Sequence, residues 1–415
     1  MTNEKQHIPS GYKSSPLGII PKDWEVKRLG EVCINDGDYG LNAPATDYDE
    51  DLPTYLRITD IDDDGKFNQS DKKSVNSPLC KNYYLKDGDI VFARTGATVG
   101  KTYLYDKNDG KLVYAGFLIK FTPNEEKILP YFLKSQTNTR EYANWVSITS
   151  QRSGQPGINA AEYCSYKFAL PPLSEQKRIC DLFSLWDTAI AKQTALIENL
   201  TLRKRGLMQQ LLTGKKRLKG FEGEWKKCAI KSFAKEVSTR NTNNKDYVVL
   251  SCTKYDGLVP SLEYFGKQIY SNDLSTYKVV PKNHFAYATN HIEEGSIGYQ
   301  ANFNNGLISP MYTVFETDKE KVDDTYLFAV LKSHHLIYLY QAMMEGSINR
   351  RGGLRWDSFS TIKVNLPSLE EQKAISGFLQ RSDKEIEIQK QKLSDLQEQK
   401  RGLMQQLLTG KRRVK

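Results

Sequence analysis

Arg94-Thr-Gly-Ala-Thr-Val-Gly-Lys-Thr102 is the segment of this 415-residue chain that most invites a chemical reading. Glycines followed by lysine and threonine can cradle a phosphate, but that loop is G-x-x-x-x-G-K-[ST]. Gly96 and Gly100 enclose only three residues. One residue fewer changes which amides can surround a phosphate, and no Walker-B strand is evident, so nucleotide binding is not expected. Pro171-Pro172 precedes a helix and lacks the Asn/Asp-Pro-Pro-aromatic context of an amino-methyltransferase. His7, His284, His291, His334 and His335 show no ligand spacing. Asp60, Asp62, Asp63 and Asp64 fit no EF-type calcium loop and read as a solvated turn. Six cysteines stand singly with no C-x-x-C pair, which suits reduced thiols and argues against a zinc cluster. Neither catalysis nor a metal site is expected of this chain.

Hydrogen-bonding loops are better represented. Arg94, Thr95, Thr98 and Lys101 share a Gly-rich loop beside a strand, and Gln151, Arg152, Ser153 and Gln155 form a second polar loop. Further along, Asn290 and His291 lead to Ser296, while Asn349, Arg350, Arg351 and Arg355 occupy the place equivalent to the second loop. Such side chains bond base edges and phosphates, so these residues are the candidate DNA contacts.

The elements that must position them follow from an internal repeat. Leu170-Pro-Pro-Leu-Ser-Glu-Gln-Lys177 returns as Leu366-Pro-Ser-Leu-Glu-Glu-Gln-Lys373, and Lys204 to Lys215 returns unchanged as Lys400 to Lys411. Aligned without a gap, 170–217 and 366–413 share 24 of 48 positions, far above chance. Each copy reads as one long helix, since apolar residues recur in steps of three and four, the seam of a coiled coil. The pairing residues are Ile179, Trp186, Ile190, Ile197, Leu200, Leu207 and Leu211 in the first copy. In the second they are Ile375, Ile386, Leu393, Leu396, Leu403 and Leu407. Polar seam positions, Gln193 and Lys204 matched by Gln389 and Lys400, would fix register. Ser174 and Ser368 can cap the starts, and Gly214 and Gly410 suit the stops. From Ser174 to Thr213 the helix would run about 60 Å.

Four segments result: globular domains at 1–169 and 218–365, and helical regions at 170–217 and 366–415. The domains open on similar phrases, Ile20-Pro-Lys-Asp-Trp24 and Gly220-Phe-Glu-Gly-Glu-Trp225. Short strands are predicted at Thr54–Thr59, Asp89–Ala93, Tyr247–Leu250 and Met311–Phe315. One helix is predicted around Leu129–Tyr142 and another around Asp324–Met344. The expected fold is α+β: two globular domains separated by two long helices that pair as an antiparallel coiled coil. The order domain, rod, domain, rod resembles a circle that has been cut, a pseudo-twofold organisation in which the termini lie close together.

Composition narrows the class. A chain 39% hydrophobic and 11% aromatic is not disordered. No apolar run approaches the ~20 residues of a membrane span, and Met1 to Ile20 hold no signal-peptide core, so a cytoplasmic location is expected. The net charge of +9 sits mainly on the rods, +5 in 170–217 and +4 in 366–415. The domains carry −2 and +2, so charge alone is poor evidence for DNA binding.

The twin Leu-Pro-x-Leu-x-Glu-Gln-Lys and Arg-Gly-Leu-Met-Gln-Gln-Leu-Leu-Thr-Gly-Lys motifs resemble the specificity (S) subunit of type I restriction-modification enzymes. The likeness covers essentially the whole chain, and Leu85-Lys-Asp-Gly-Asp-Ile-Val-Phe-Ala-Arg-Thr-Gly96 and Ser309-Pro-Met-Tyr312 also look family-like. The resemblance implies a non-catalytic subunit for phage defence, with two target-recognition domains reading an asymmetric, bipartite double-stranded DNA target. It further implies two methyltransferase (M) subunits, bringing S-adenosylmethionine for DNA methylation, and two restriction/motor (R) subunits using ATP and Mg. No cofactor is implied in this chain itself. Two alternatives are a coiled-coil protein-interaction adaptor without DNA readout, and an enzyme using the near-miss loop at Gly96–Lys101.

Overall fold

A computed structural model describes residues 8–345 and 353–414. The two long helices run over Leu173–Leu212 and Leu369–Leu407, as the repeat predicts. By its contacts the chain divides into two units, Met1–Thr194 with Gln391–Lys415, and Ala195–Lys390. Each unit therefore holds one globular head, the start of one rod and the end of the other.

In unit 1 the rods pair antiparallel, the seam lysine Lys400 bonding Asp187 at 2.5 Å. Unit 2 repeats the pair as Lys204 with Asp383. These carboxylates are about half exposed, so each pair contributes no more than ~1 kcal/mol. Their value is register, because a half-buried lysine on the seam favours an acidic partner opposite. Stability comes from the rod ends, which plunge into the heads. Ile179, Met404, Leu407 and Leu408 join the core of unit 1, and Leu211, Leu212, Ile375 and Leu379 that of unit 2. Each such side chain contributes about 1.5–3 kcal/mol when fully buried. Every predicted pairing residue is buried or half-buried.

The Glu-Gln of the repeated motif is the joint between rod and head. In unit 1, Gln176 is fully buried; its Oε1 accepts from the Leu129 N–H at 2.9 Å and its Nε2 donates to the Lys127 and Pro171 carbonyls. In unit 2, Gln372 accepts from the Asp323 N–H at 2.9 Å and donates to the Lys321 and Pro367 carbonyls. Neighbouring Glu175 is 1% exposed and accepts from Trp24 Nε1 at 3.0 Å and from Arg413, whose guanidinium also grips Asp23 at 2.7 and 2.8 Å. Arg413 holds the Asp23 carboxyl below its ordinary range. The two ends of the chain therefore meet. Glu371 takes the same place in unit 2 and accepts two 2.6 Å bonds from Arg217, which lies over the Trp225 ring. Trp225 Nε1 itself has no hydrogen-bond partner.

Both heads are built around one sheet plan. In unit 1 the strand order is Asp38–Tyr39, Leu118–Phe121, Ile90–Ala93, Thr102–Leu104; in unit 2 it is Ala234–Val237, Tyr312–Thr317, Phe285–Ala288, Ile297–Tyr299. Every pairing in both is antiparallel. A second sheet in each head contains a parallel pair, Thr54–Leu56 with Leu112–Tyr114 and Val248–Thr253 with Asn305–Ile308. Aromatic packing on the main sheet matches too: Phe92 meets Tyr163 at 5.0 Å, and Tyr287 meets Phe359 at 4.6 Å.

Some local expectations are corrected. The helix expected over Leu129–Tyr142 is two, Pro130–Gln136 and Arg140–Thr149, because Thr139 accepts the Tyr142 N–H as a cap and starts a new helix. The helix expected over Asp324–Met344 is likewise Asp324–Leu331 and His334–Glu345. The strand Thr54–Thr59 stops at Leu56, since an Arg57–Asp60 ion pair at 2.6 Å folds a 3-10 turn. Ser174 lies inside its helix, where the Pro172 carbonyl accepts the Glu175 and Gln176 N–H groups; Ser368 does cap, accepting the Glu371 N–H at 3.3 Å. Gly214 and Gly410 adopt φ of 70° and 73° and end the rods.

Candidate nucleic-acid interface

The candidate loops leave the two heads at equivalent strand ends. In unit 1 the central strand Ile90–Ala93 ends at Arg94, whose N–H donates to the Phe117 carbonyl at 3.0 Å. Its carbonyl accepts from the Ile158 N–H at 2.9 Å, which brings the end of the 150–157 loop alongside. The Gly96 N–H donates to the Pro156 carbonyl, and the Gly100 N–H returns to the Ala93 carbonyl, both at 3.0 Å. Gly100 has φ of 87°, and a Cβ there would lie 2.6 Å from Val146. The turn is closed against the helix Arg140–Thr149. It joins two antiparallel strands through a single 3-10 turn, Gly96–Thr98, and opens no α-helix, so the amide cradle of a phosphate loop is not formed.

The turn after Arg94 is thereby brought beside Gln155, which is exposed, as are Gln151 and Ser153 of the same loop. The Arg94 guanidinium lies 4.8 Å over the ring of Tyr39, an aromatic neighbour absent from the sequence-based selection. A cation held over a ring face is attracted to it and still presents N–H groups that can donate. Thr98 turns inward enough to bond the Thr95 carbonyl at 3.4 Å. Arg152 pairs with Glu162 at 2.5 Å and donates to the Thr149 and Gln151 carbonyls, so its charge is already answered within the head. Lys101 bonds Asp63 at 2.7 Å, holding that exposed carboxyl below its ordinary range. The acidic turn is thus a partner for Lys101.

Unit 2 repeats the backbone with other side chains. After Phe285–Ala288, the Thr289 hydroxyl donates to the Met311 carbonyl at 3.0 Å and the Leu354 N–H to the Thr289 carbonyl at 2.7 Å. Gly353 is seated so closely that a Cβ would lie 2.4 Å from that carbonyl. Gly295, at φ 90°, ends the turn as Gly100 does, but its N–H donates to the Ile292 carbonyl at 2.8 Å, within the turn. Asn290 and His291 are exposed, and Arg355 stands exposed at the start of the helix Trp356–Phe359. Ser296 is 7% exposed and its carbonyl accepts the Ala288 N–H, so it serves the turn and is removed from the surface selection. Asn349, Arg350 and Arg351 lie outside the described residues. Although the histidines lack ligand spacing in sequence, His291, Glu293 and Glu294 bring ligand atoms within 4.8 Å, with His291 and Glu294 exposed and Glu293 half-buried. Glu294 lies 3.6 Å from His291.

The sequence-based selection did not include Phe117 and Met311, which the sheet register places opposite Arg94 and Thr289. The signal was present as the turn Ala115 to Leu118 and its counterpart Ser309 to Tyr312, but neither holds a polar side chain that would draw attention at that position.

The comparisons agree with this architecture. A family model for the type I restriction modification DNA specificity domain matches twice, over residues 21–202 and 222–398. A putative type I restriction enzyme MjaX specificity subunit of Methanocaldococcus jannaschii is 28% identical, with 97% of each chain covered. The type I restriction enzyme MjaVIII specificity subunit of the same organism is 24% identical, covering 95% of this chain and 94% of the relative. Among solved structures, the HsdS subunit from Thermoanaerobacter tengcongensis shares the fold with a TM-score of 0.52 at 18% identity, covering 94% and 98% of the two chains. A chain from a study of assembly and conformational transition of the type I R-M system gives 0.57 at 17%, covering 94% and 99%. No helix among the described residues is long and apolar enough to cross a membrane. With two specificity domains, each built on the same sheet and jointed to the same pair of antiparallel rods, the chain belongs to the specificity-subunit family of type I restriction-modification systems.

Proposed function

We propose that this chain is the non-catalytic, DNA-reading subunit of its complex, and that it recognises an asymmetric, bipartite duplex target. The observation that carries the proposal is the equivalence of the two tips. Arg94–Gly100 and Thr289–Gly295 leave corresponding strands, end on a left-handed glycine and receive a returning loop through the same backbone bond, Ile158 N–H to the Arg94 carbonyl and Leu354 N–H to the Thr289 carbonyl. What differs is the side chains. Arg94 offers a fork suited to guanine O6 and N7, whereas Asn290 suits adenine N6 and N7. Different donors on one scaffold are what two unlike half-sites require.

The rods then serve to hold methyltransferase subunits and to set the number of unspecified bases. Restriction subunits, with ATP and Mg, complete a cleaving complex, and S-adenosylmethionine is supplied through the methyltransferase. The near-neutral heads match a chain whose phosphate affinity is weak until those subunits close around the DNA.

The test is selection from random duplex DNA by the chain reconstituted with its methyltransferase subunit. Two unlike half-sites separated by a fixed gap are expected. Adding four residues, about one helical turn, to either rod should alter the gap and leave the half-site bases unchanged. Selection of no sequence at all would leave the protein-interaction adaptor as the better description.

A further inference from the structure

The two heads share a feature that polar-loop reasoning does not reach. Opposite each reading strand lies a four-residue turn, Ala115 to Leu118 and Ser309 to Tyr312. Each is closed by its own bond, from the Leu118 N–H to the Ala115 carbonyl at 2.8 Å and from the Tyr312 N–H to the Ser309 carbonyl at 3.0 Å. The third residue of each turn is large, apolar and open to solvent: Phe117 is 60% exposed and Met311 is 61% exposed. The next residue begins the strand, and one step along a strand reverses the face, so Leu118 is fully buried while Phe117 is not.

Scattered apolar residues on a surface need no explanation. These two are distinguished by position. They occupy the same turn site in heads whose loops otherwise differ, and each backbone is tied to the residue that opens the reading loop. The Phe117 carbonyl accepts from the Arg94 N–H, and the Met311 carbonyl from the Thr289 hydroxyl, both at 3.0 Å. A doubly pinned turn fixes the backbone from which its side chain projects, so the backbone has little freedom to lose on binding. Each turn lies directly opposite the residue that opens a polar loop, Arg94 or Thr289, so apolar and hydrogen-bonding groups leave the same end of each sheet.

Resting on the DNA-reading function proposed above, we propose that Phe117 and Met311 are specificity-determining residues, each reading one base pair by apolar contact with the C5 methyl of a thymine in the major groove. The polar loops read neighbouring hydrogen-bonding edges; these turns supply the apolar part of the readout.

The test uses the chain assembled with its methyltransferase subunit and compares wild type with Phe117→Ala and Met311→Ala. Both side chains are exposed, so the fold should be kept, and Phe117→Leu and Met311→Leu retain an apolar tip. Selection from random DNA should show one thymine-bearing position relaxed in one half-site for Phe117→Ala and one in the other for Met311→Ala, with the gap unchanged. Replacing that thymine by deoxyuridine, which removes only the methyl, should weaken wild-type binding about fourfold and leave the alanine variant unaffected. Unchanged selected sequences in both alanine variants would overturn the inference, as would a wild type indifferent to deoxyuridine at the relaxed positions. Loss of methyltransferase assembly in the alanine variants would also overturn it, by making these turns protein contacts. If the wild type itself selects no bipartite sequence, the DNA-reading function fails first, and that result is separable from the others.

Discussion

Unit 1 and unit 2 use the same joint with different completeness. In unit 1 the buried Glu175 carboxylate is shared by Trp24 and Arg413, and Arg413 continues to Asp23. In unit 2, Glu371 meets Arg217, but the indole nitrogen of Trp225 is left without a partner. Chain connectivity accounts for part of the contrast. Arg217 and Trp225 are eight positions apart on one continuous stretch, whereas Trp24 and Arg413 come from opposite ends of the chain. A joint made by the two termini must be closed by contacts alone, and it has more of them. The tips show the opposite pattern: their backbones match, and their side chains diverge. Architecture is held where rod meets head, and variation is placed where the loops turn outward.

The largest effect that would break this comparison is loss of the Glu175 carboxylate. Glu175→Ala strands a buried indole N–H and removes the partner of Arg413, and should destabilise unit 1 by about 3–5 kcal/mol. Glu371→Ala should cost unit 2 less, because no indole bond is lost. Peptide-resolved hydrogen exchange would separate the two; equal losses would mean that the Trp24 bond adds nothing.

The rod-ending glycines offer a second contrast. Gly214→Ala forces a side chain into a left-handed conformation, costing about 1–2 kcal/mol. Gly410→Ala meets the same cost and also sets a Cβ 2.5 Å from the Pro21 ring, so it should lower the melting temperature further. A milder effect at Gly410 would show that the segment around Pro21 can move aside.

At the tips, Arg94→Ala should relax one position in one half-site and Asn290→Ala one position in the other, each by about 1–3 kcal/mol of discrimination. Competition binding with single-base variants measures this. A uniform loss across all sequences would instead mark phosphate contacts.

The smallest effect concerns Lys134 of unit 1; unit 2 holds Lys332, half-buried and with its pKa likewise pushed down by burial. Lys134 is 8% exposed, its Nζ donates to Thr102 Oγ1 at 2.9 Å, and burial pushes its pKa down to about 8. Asp62 and Asp64 favour its charge and Lys400 opposes it. A lysine depressed on folding binds fewer protons in the native state, so stability rises as pH climbs above about 8 toward the ordinary value of 10.5. Between pH 7 and 9 the urea stability of unit 1 should increase by about 1 kcal/mol, and Lys134→Met should flatten that dependence.

Much of this protein is legible in one dimension. The seam from Ile179 to Leu211 follows from helical periodicity, and the rod ends at Gly214 and Gly410 follow from the need for a left-handed residue. These are local properties, fixed by residues a few positions apart. The same holds for the strand Ile90–Ala93, whose apolar run declares burial. Other features depend on what meets across the fold. The helix after Pro130 breaks because Thr139 finds a cap, and Ser296 is buried because its turn closes on Ala288. Arg152 and Lys101 looked available until Glu162 and Asp63 were found opposite them.

The repeated Glu-Gln motif shows the division most clearly. By itself the sequence determined that Glu175, Gln176, Glu371 and Gln372 recur with their helices, and hence that two like modules exist. Only the tertiary structure decided what they do: the glutamines bind the loop that starts each head's helix, and the glutamates receive arginines some 150 or more residues away. A periodic pattern records which face of a helix is buried. It does not record which distant polar groups will share that burial, because their meeting is set by the closure of the whole chain.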